Sequence, residues 1–453
     1  MEINKELLLT EYFDAAIEET KKIVAMPSYR KNILKGSPVD QDIRNVLDHC
    51  IKLCKSFGMK TFIANDYKYG YADYGNGDKL FGIICHLDVV PPGNLSEWNN
   101  PPFEPIIKDG KLYGRGTFDD KGPTMMNIFS LKYLIDNNFQ PDYTIRLIFG
   151  TSEETTWECM ESYVGKERLC DFGYVPDGHF PVVYAEKWIS DVDLIGNYKC
   201  NFEIEGGEVY NAVNDLVSYK GDKIHEIKCF LDKNSISTYI DDNKLFVKGI
   251  ASHGSLPEKG VAASTWLLKA MNEVGIVHPL VQFVSEYVHL DFSMLKVFGN
   301  IVDETGVITT CNGIIKVTND DYRFTLNIRI PCTYDPRRDV NDKLNNFIKK
   351  FDMELIVSSV ENSIYFEKDS EVVKKIMSVY QQVTGDLKSE PIAIGGGTFA
   401  KSMPNIIAFG AEFNIEESTM HAYNEFVKIE ELKKMIEIYT MSIIKLTIYD
   451  KII

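Results

Sequence analysis

The 453-residue chain predicts an α/β protein in which a domain with a mainly parallel or mixed sheet between helices carries an inserted α+β domain. Three observations lead there. The length exceeds what one ordinary core organises, so two domains are expected. Over the first 190 residues, short apolar runs alternate with amphipathic helical patterns, as in a largely parallel sheet flanked by helices. From about residue 190 the strand-like segments become polar and alternating, as in an antiparallel sheet with one wet face.

Taken in order, "YFDAAIEETKKIVAM" and "QDIRNVLDHCIKLCKSFGM" read as amphipathic helices. In the second, Ile43, Val46, Leu47, Cys50, Cys54 and Phe57 recur at helical spacing on one face. This assigns Cys50 and Cys54 to the core rather than to a metal cluster with His49, because buried thiols behave as small hydrophobes. "KLFGIICHLDVV" (79–90) reads as a buried strand stopped by the turn signal "PPGN". "GPTMMNIFSLKYLIDN" reads as a helix, with Pro123 suited to its first turn. "YTIRLIFG" (143–150) is a second buried strand and "FGYVPDG" contains a short third. Beyond 190, "SDVDLIGNYKCNFEIEGG", "KLFVKGIASHG", "GIIKVTNDDYRFTLNIRIP" and "MELIVSSVENSIYF" supply alternating strands, interleaved with helices such as "VAASTWLLKAMNEVG". Strand-like pieces around the glycine cluster of "IAIGGGTFAKSMPNIIAFG" and a last helix, "KIEELKKMIEIYTMSIIKL", complete the pattern.

Composition removes several function classes. A net charge of −17, from 66 acidic and 49 basic residues with no basic block, opposes binding to phosphate backbones and argues against a nucleic-acid partner. No apolar run approaches the roughly 18 residues that span a bilayer, and the acidic N-terminus lacks the pattern of a signal peptide. Nine cysteines without a C-x-x-C pair point to a reduced, cytoplasmic setting.

Chemistry concentrates at strand ends. "CHLDVV", "GTFDDKGP", "SEET" and "VPDGHF" place His86, Asp88, Asp119, Glu153, Glu154 and Asp177 after four strand signals of the first domain. In open α/β sheets, loops at the carboxyl ends of strands converge on one ligand site. Each piece alone has a plain reading, as a loop histidine or as acids in the first turn of a helix. Together they gather negative charge that needs cations, and imidazole with carboxylate suits divalent transition metals.

These stretches, with "HLDVVPPGN", "NPPFEPIIKDGKLYGRGTFDDKGP", "VPDGHFPVVYAEKW", "GIASHGSLPEKG", "GGGTF" and "MHAYNEF" in this order, resemble a family of metal-dependent hydrolases. That family includes aminoacylase, acetylornithine deacetylase, succinyl-diaminopimelate desuccinylase and carboxypeptidase G; the chain is most similar to its dipeptidase V-like branch. The resemblance covers nearly the whole chain. It implies a zinc-peptidase-like catalytic domain over 1–188 and 385–453 and an inserted lid domain over 189–384. It implies two divalent ions, zinc or else manganese or cobalt, with His86 and Asp177 on one, Glu154 and His421 on the other, and Asp119 bridging. Asp88 would orient His86 through its second ring nitrogen, and Glu153 would be the general base. From the lid, His253 would stabilise the oxyanion, and Arg329 with backbone N–H groups at Gly396 and Gly397 would bind the substrate carboxylate.

The adjacent acids Glu153 and Glu154 then have separate tasks. Successive residues of an extended chain face opposite sides, so one binds a cation while the other faces the water. The implied activity is hydrolysis of unblocked dipeptides by a monomer whose enlarged lid limits substrate length. A deacylase acting on N-acyl amino acids and a non-catalytic binding protein are the alternatives. Some residues depart from the family pattern: Cys85 before the ligand histidine, Trp188 after "EK", "GVAAST" without an asparagine and "NAVND" without a proline.

Overall fold

The computed structural model describes residues 2–32 and 34–449. The chain divides into two compact units, Met1–Tyr184 with Phe366–Ile392 and Thr398–Ile453, and Ala185–Tyr365 with Ala393–Gly397. The helix Glu371–Thr384, which the expected boundaries place in the inserted segment, belongs to the first unit.

The first unit is built on a mixed sheet. Six of its strands run in the order Lys60–Ile63, Tyr69–Tyr74, Tyr143–Gly150, Lys79–His86, Phe172–Val175 and Ile406–Ala408. The last four are mutually parallel; the first two are antiparallel additions at one edge. The Lys79–His86 strand is buried at every residue after Lys79, as a central parallel strand covered on both faces must be. It is shorter than the 79–90 apolar run. After His86 the chain leaves the sheet, and Val89 N–H donates to the Ser28 carbonyl instead of to a neighbouring strand.

Helix Lys121–Asp136 is buried nearly all round and packs against Phe13–Val24 and Ile429–Thr447. An apolar sequence with no polar stripe can only be stable in that position. Cys50 and Cys54 are fully buried with Ile43, Val46 and Leu47 on one face of Gln41–Ser56. Among the described residues no helix is long and apolar enough to cross a membrane.

The second unit holds an antiparallel sheet in the order Ser237–Asp241, Lys244–Lys248, Leu216–Lys220, Glu203–Gly206, Ile315–Val317, Asp321–Ile330, Trp188–Asn197 and Glu354–Glu361. Strand alternation separates its two faces. Val192, Leu194, Phe324, Leu326 and Ile328 enter an apolar core with residues of helices Ala263–Glu273 and Pro279–Tyr287. The intervening Asp191, Asp193, Asn327 and Arg329 share the opposite, polar face.

Candidate metal centre

In the first unit the parallel strands deliver their carboxyl ends to one place. His86 is the last residue of its strand, Asp177 lies two residues beyond Phe172–Val175, and Glu153 and Glu154 follow Tyr143–Gly150. Asp119 arrives on the loop before helix Lys121–Asp136. His421 comes from a turn near the C-terminus, at a left-handed φ of 60°.

These six converge as two sets. Ligand atoms of His86, Glu153 and Asp177 lie within 4.8 Å of one another, and so do those of Asp119, Glu154 and His421. Asp119 joins the sets. Its Oδ1 is 2.8 Å from His86 Nε2 and its Oδ2 is 2.9 Å from His421 Nε2. His86 Nε2 is also 3.4 Å from Asp177 Oδ2, and His421 Nε2 is 3.1 Å from Glu154 Oε2.

The donor chemistry fits cations. His86 Nδ1 is 2.9 Å from the Asp88 carbonyl, which can only accept, so Nδ1 carries the proton. In the neutral ring Nε2 therefore turns a lone pair toward two carboxylates, an arrangement that is repulsive unless a cation stands between them. Glu154 Oε1 is buried and has no hydrogen-bond partner among the described residues, a second acceptor awaiting positive charge. With protons as the only cations, the groups shift accordingly. Burial alone would lower the proton affinity of His86, but Asp119, Asp177 and Asp88 raise it well above the ordinary value. Partial desolvation of its ring opposes protonation of His421, whose side chain is 54% exposed, yet Glu154 and Asp119 outweigh that and raise its proton affinity too. Burial pushes Glu153 well above the carboxylate range, with His86 lowering it and Asp177, Glu154 and Asp119 adding to the rise. Glu154 is pushed up to about 7 by burial and Asp119, against the pull of His421. Burial and Asp119 raise Asp177, whereas Asp119, facing both histidines, is lowered despite burial.

Asp88 is placed differently from the simple picture of a carboxylate behind a histidine. Its carboxylate Oδ1 stands 3.7 Å from His86 Nδ1, which is held by the backbone carbonyl instead. The carboxylate accepts the backbone N–H groups of Glu153 at 3.0 Å and Glu154 at 3.1 Å. One fully buried acid thus fixes the loop bearing both glutamates.

Two further residues of the centre, Glu425 and Arg115, were missed by sequence reasoning. Strand Phe426–Lys428 pairs with Lys111–Tyr113, which brings Glu425 beside the loop leading to Asp119. Its buried carboxylate accepts N–H groups from Gly116 at 3.0 Å, Phe118 at 3.0 Å and Asp119 at 3.3 Å, and pairs with Arg115 Nη1 at 2.6 Å. Arg115 Nη2 in turn donates to the His421 carbonyl at 3.3 Å. A second clamp on the same turn is Asn424, which accepts Asn99 N–H at 2.6 Å and donates to the Glu97 carbonyl at 3.1 Å. Glu425 sits inside the "MHAYNEF" stretch, but nothing local tells an acid of this kind from a solvated one.

The remaining expected residues lie in the second unit. Arg329 is 3% exposed; its Nε donates to Asn327 Oδ1 at 2.7 Å and its Nη1 to the Gly395 carbonyl at 2.8 Å. The glycine segment thus meets Arg329 through the carbonyl just before Gly396 and Gly397. His253 is exposed, with Nδ1 2.7 Å from Ser255 Oγ.

Residues 82–445 match the model of "Peptidase family M20/M25/M40". A "Putative dipeptidase" of Staphylococcus saprophyticus is 31% identical, covering 97% of this chain and 98% of its own. A namesake from Staphylococcus aureus is also 31% identical over 97% and 98% of the two chains. Among solved structures, an M20 family metallo-carboxypeptidase of Sulfolobus solfataricus superposes with a TM-score of 0.59 at 19% identity, over 95% of this chain and 99% of that one. A di-peptidase of Saccharomyces cerevisiae gives 0.60 at 11% identity, over 98% and 99%. Strand ends that gather histidines and acids, in a chain matched along most of its length, lead to one assignment: the protein belongs to peptidase family M20/M25/M40 and is a metal-dependent hydrolase of the peptidase class.

Proposed function

We propose that the protein is a dipeptidase that uses two divalent ions to cleave the peptide bond of unblocked dipeptides. The observation that carries this reading is the Asp119 carboxylate, with one oxygen toward His86 and the other toward His421. A carboxylate so placed suits two adjacent ions. His86 and Asp177 would hold one, Glu154 and His421 the other, with Asp119 shared. Zinc fits these donors, and so do manganese and cobalt. When bound, such a pair polarises the scissile carbonyl and lowers the pKa of water toward neutrality.

Glu153 takes the proton of the attacking water as the new C–O bond forms. It returns that proton to the leaving amine as the C–N bond breaks. Burial and its acidic neighbours, which raise its proton affinity, suit a group that must hold a proton between two steps. Asp88 keeps the loop of Glu153 and Glu154 in place through their backbone N–H groups. His253 donates to the developing oxyanion. Arg329, with the amides of Gly396 and Gly397, binds the substrate's terminal carboxylate. The names of the two staphylococcal relatives favour dipeptides over longer chains.

The test is metal analysis of the purified protein together with hydrolysis of Ala-Ala, β-Ala-His and N-acetyl amino acids. Two ions per chain and faster turnover of dipeptides are expected. Faster N-acyl turnover would make the protein a deacylase. No turnover with added zinc, manganese or cobalt would make it a binding protein.

A further inference from the structure

Arg329 is a buried cation that forms no ion pair among the described residues. Its partners are neutral, Asn327 Oδ1 and the Gly395 carbonyl, and its Nη2 donates to no described residue. Burial depresses its pKa, and Glu361 and Asp191 oppose this only through space. A buried charge left unpaired is costly, so the fold must hold this guanidinium in place by other means and leave one edge to an anion.

The means is a row across three strands. In the sheet register Asp191 stands opposite Asn327 on one side and Ser359 on the other. Ser359 Oγ donates to Asp191 Oδ2 at 3.0 Å, Asn327 Nδ2 donates to Asp191 Oδ1 at 2.6 Å, and Asn327 Oδ1 receives Arg329 Nε–H at 2.7 Å. The pairing of the outer strand shifts between Asp191 and Val192. In a regular strand Ser358 and Ser359 would face opposite sides; here both hydroxyls bond acids of one face, Ser359 that of Asp191 and Ser358 that of Asp193 at 3.4 Å. A bulge that re-aims a side chain is a built feature. Asn327 has a second contact. A Cβ at Gly254 would stand 2.9 Å from Asn327 Oδ1, so the loop carrying His253 rests on the same amide, and Ser255 of that loop packs on Gly395.

We infer that Asn327, anchored by Asp191 and Ser359, is a positioning residue that aims Arg329 at a substrate carboxylate and registers it with the His253 loop. Asn327 suits this task because its amide passes the Asp191 anchor to Arg329 without neutralising the guanidinium. A carboxylate at 327 would occupy the charge that a ligand needs. The inference rests on Arg329 as the carboxylate receptor, and its test separates the two claims.

The test uses the full-length, metal-loaded enzyme, with Ala-Ala as substrate and Ala-Ala amide as competing ligand. Arg329→Ala should raise the KM for Ala-Ala by about 100-fold and leave the inhibition constant of the amide near that of the wild type, as loss of a charge-assisted clamp requires. Asn327→Ala and Asp191→Ala should raise the same KM by about 10-fold, with kcat within about 3-fold and the amide unaffected. Asn327→Ala combined with Arg329→Ala should be no worse than Arg329→Ala alone, because one acts through the other. If Arg329→Ala affects acid and amide alike, the carboxylate-receptor reading fails and the inference with it. If Arg329→Ala discriminates but Asn327→Ala and Asp191→Ala lower kcat for both ligands, or add fully to Arg329→Ala, the positioning role is overturned while the receptor stands. Asp191→Ala and Ser359→Ala, at the outer end of the row, decide the matter should Asn327→Ala not fold.

Discussion

Asp119 and His421 are 302 residues apart in the chain, yet their side chains are 2.9 Å apart. Because Asp119 also faces His86 through its other oxygen, removing it should affect both sets at once. Asp119→Ala is expected to lower metal content from about two ions per chain to about one or none, measured by elemental analysis, with loss of dipeptide hydrolysis.

Neighbouring acids should separate by role. Glu153→Gln is expected to lower kcat by about 10²–10⁴ with metal content unchanged, because it removes a proton acceptor. Glu154→Gln should lose metal along with activity, because Glu154 Oε2 faces His421 and its buried Oε1 has no partner among the described residues. Equal metal loss in the two variants would make Glu153 a ligand, a role its place beside His86 and Asp177 also permits.

Glu425 carries no proposed chemistry, yet it ties the Asp119 loop to the His421 turn through Arg115. Supporting residues of metal ligands typically contribute about 10–100-fold in metal affinity. Glu425→Gln should weaken metal binding by about that factor in a competition titration with a chelating dye. It keeps an acceptor oxygen but loses the charge that pairs with Arg115.

Acid should destabilise the second unit through His278. This buried ring accepts Leu280 N–H on Nδ1 at the start of helix Pro279–Tyr287, its Nε2 has no partner among the described residues, and Tyr198, Phe202 and Tyr322 surround it. Burial lowers its pKa from 6.5 to about 4. The unfolded chain therefore takes up the proton first as pH falls. The stabilising contribution is complete above about 6.5 and is lost between there and about 4, up to about 3 kcal/mol. His278→Asn keeps a capping acceptor but does not titrate. Its melting temperature should fall less than the wild type's between pH 7 and pH 5. An equal fall would show that His278 is not the sensor.

Much of this was legible in the sequence for physical reasons. Buried parallel strands are apolar throughout and then stop, so "YTIRLIFG" followed by two acids marks a strand end with a task. The helical spacing of Cys50 and Cys54 placed them in the core correctly. What was not legible depends on backbone atoms of remote loops. Asp88 reads as a partner of His86, two residues away, and its Oδ1 does stand 3.7 Å from His86 Nδ1. That its carboxylate also accepts the amides of Glu153 and Glu154, 65 and 66 residues on, has no local signal. Glu425 is tied to the Asp119 loop by amides that any sequence would present. The irregular pairing at Ser359 breaks the two-residue period on which strand reading relies, so the row from Ser359 to Arg329 leaves no trace in the pattern.

The central claim, that loops remote in sequence share two ions through Asp119, is tested most directly by a crystal structure of the manganese- or zinc-loaded protein. Anomalous scattering locates the ions without reference to the protein coordinates. Two peaks are expected, one against His86 and Asp177 and one against Glu154 and His421, with Asp119 in contact with both. A single peak, or ions bound away from Asp119, would contradict it.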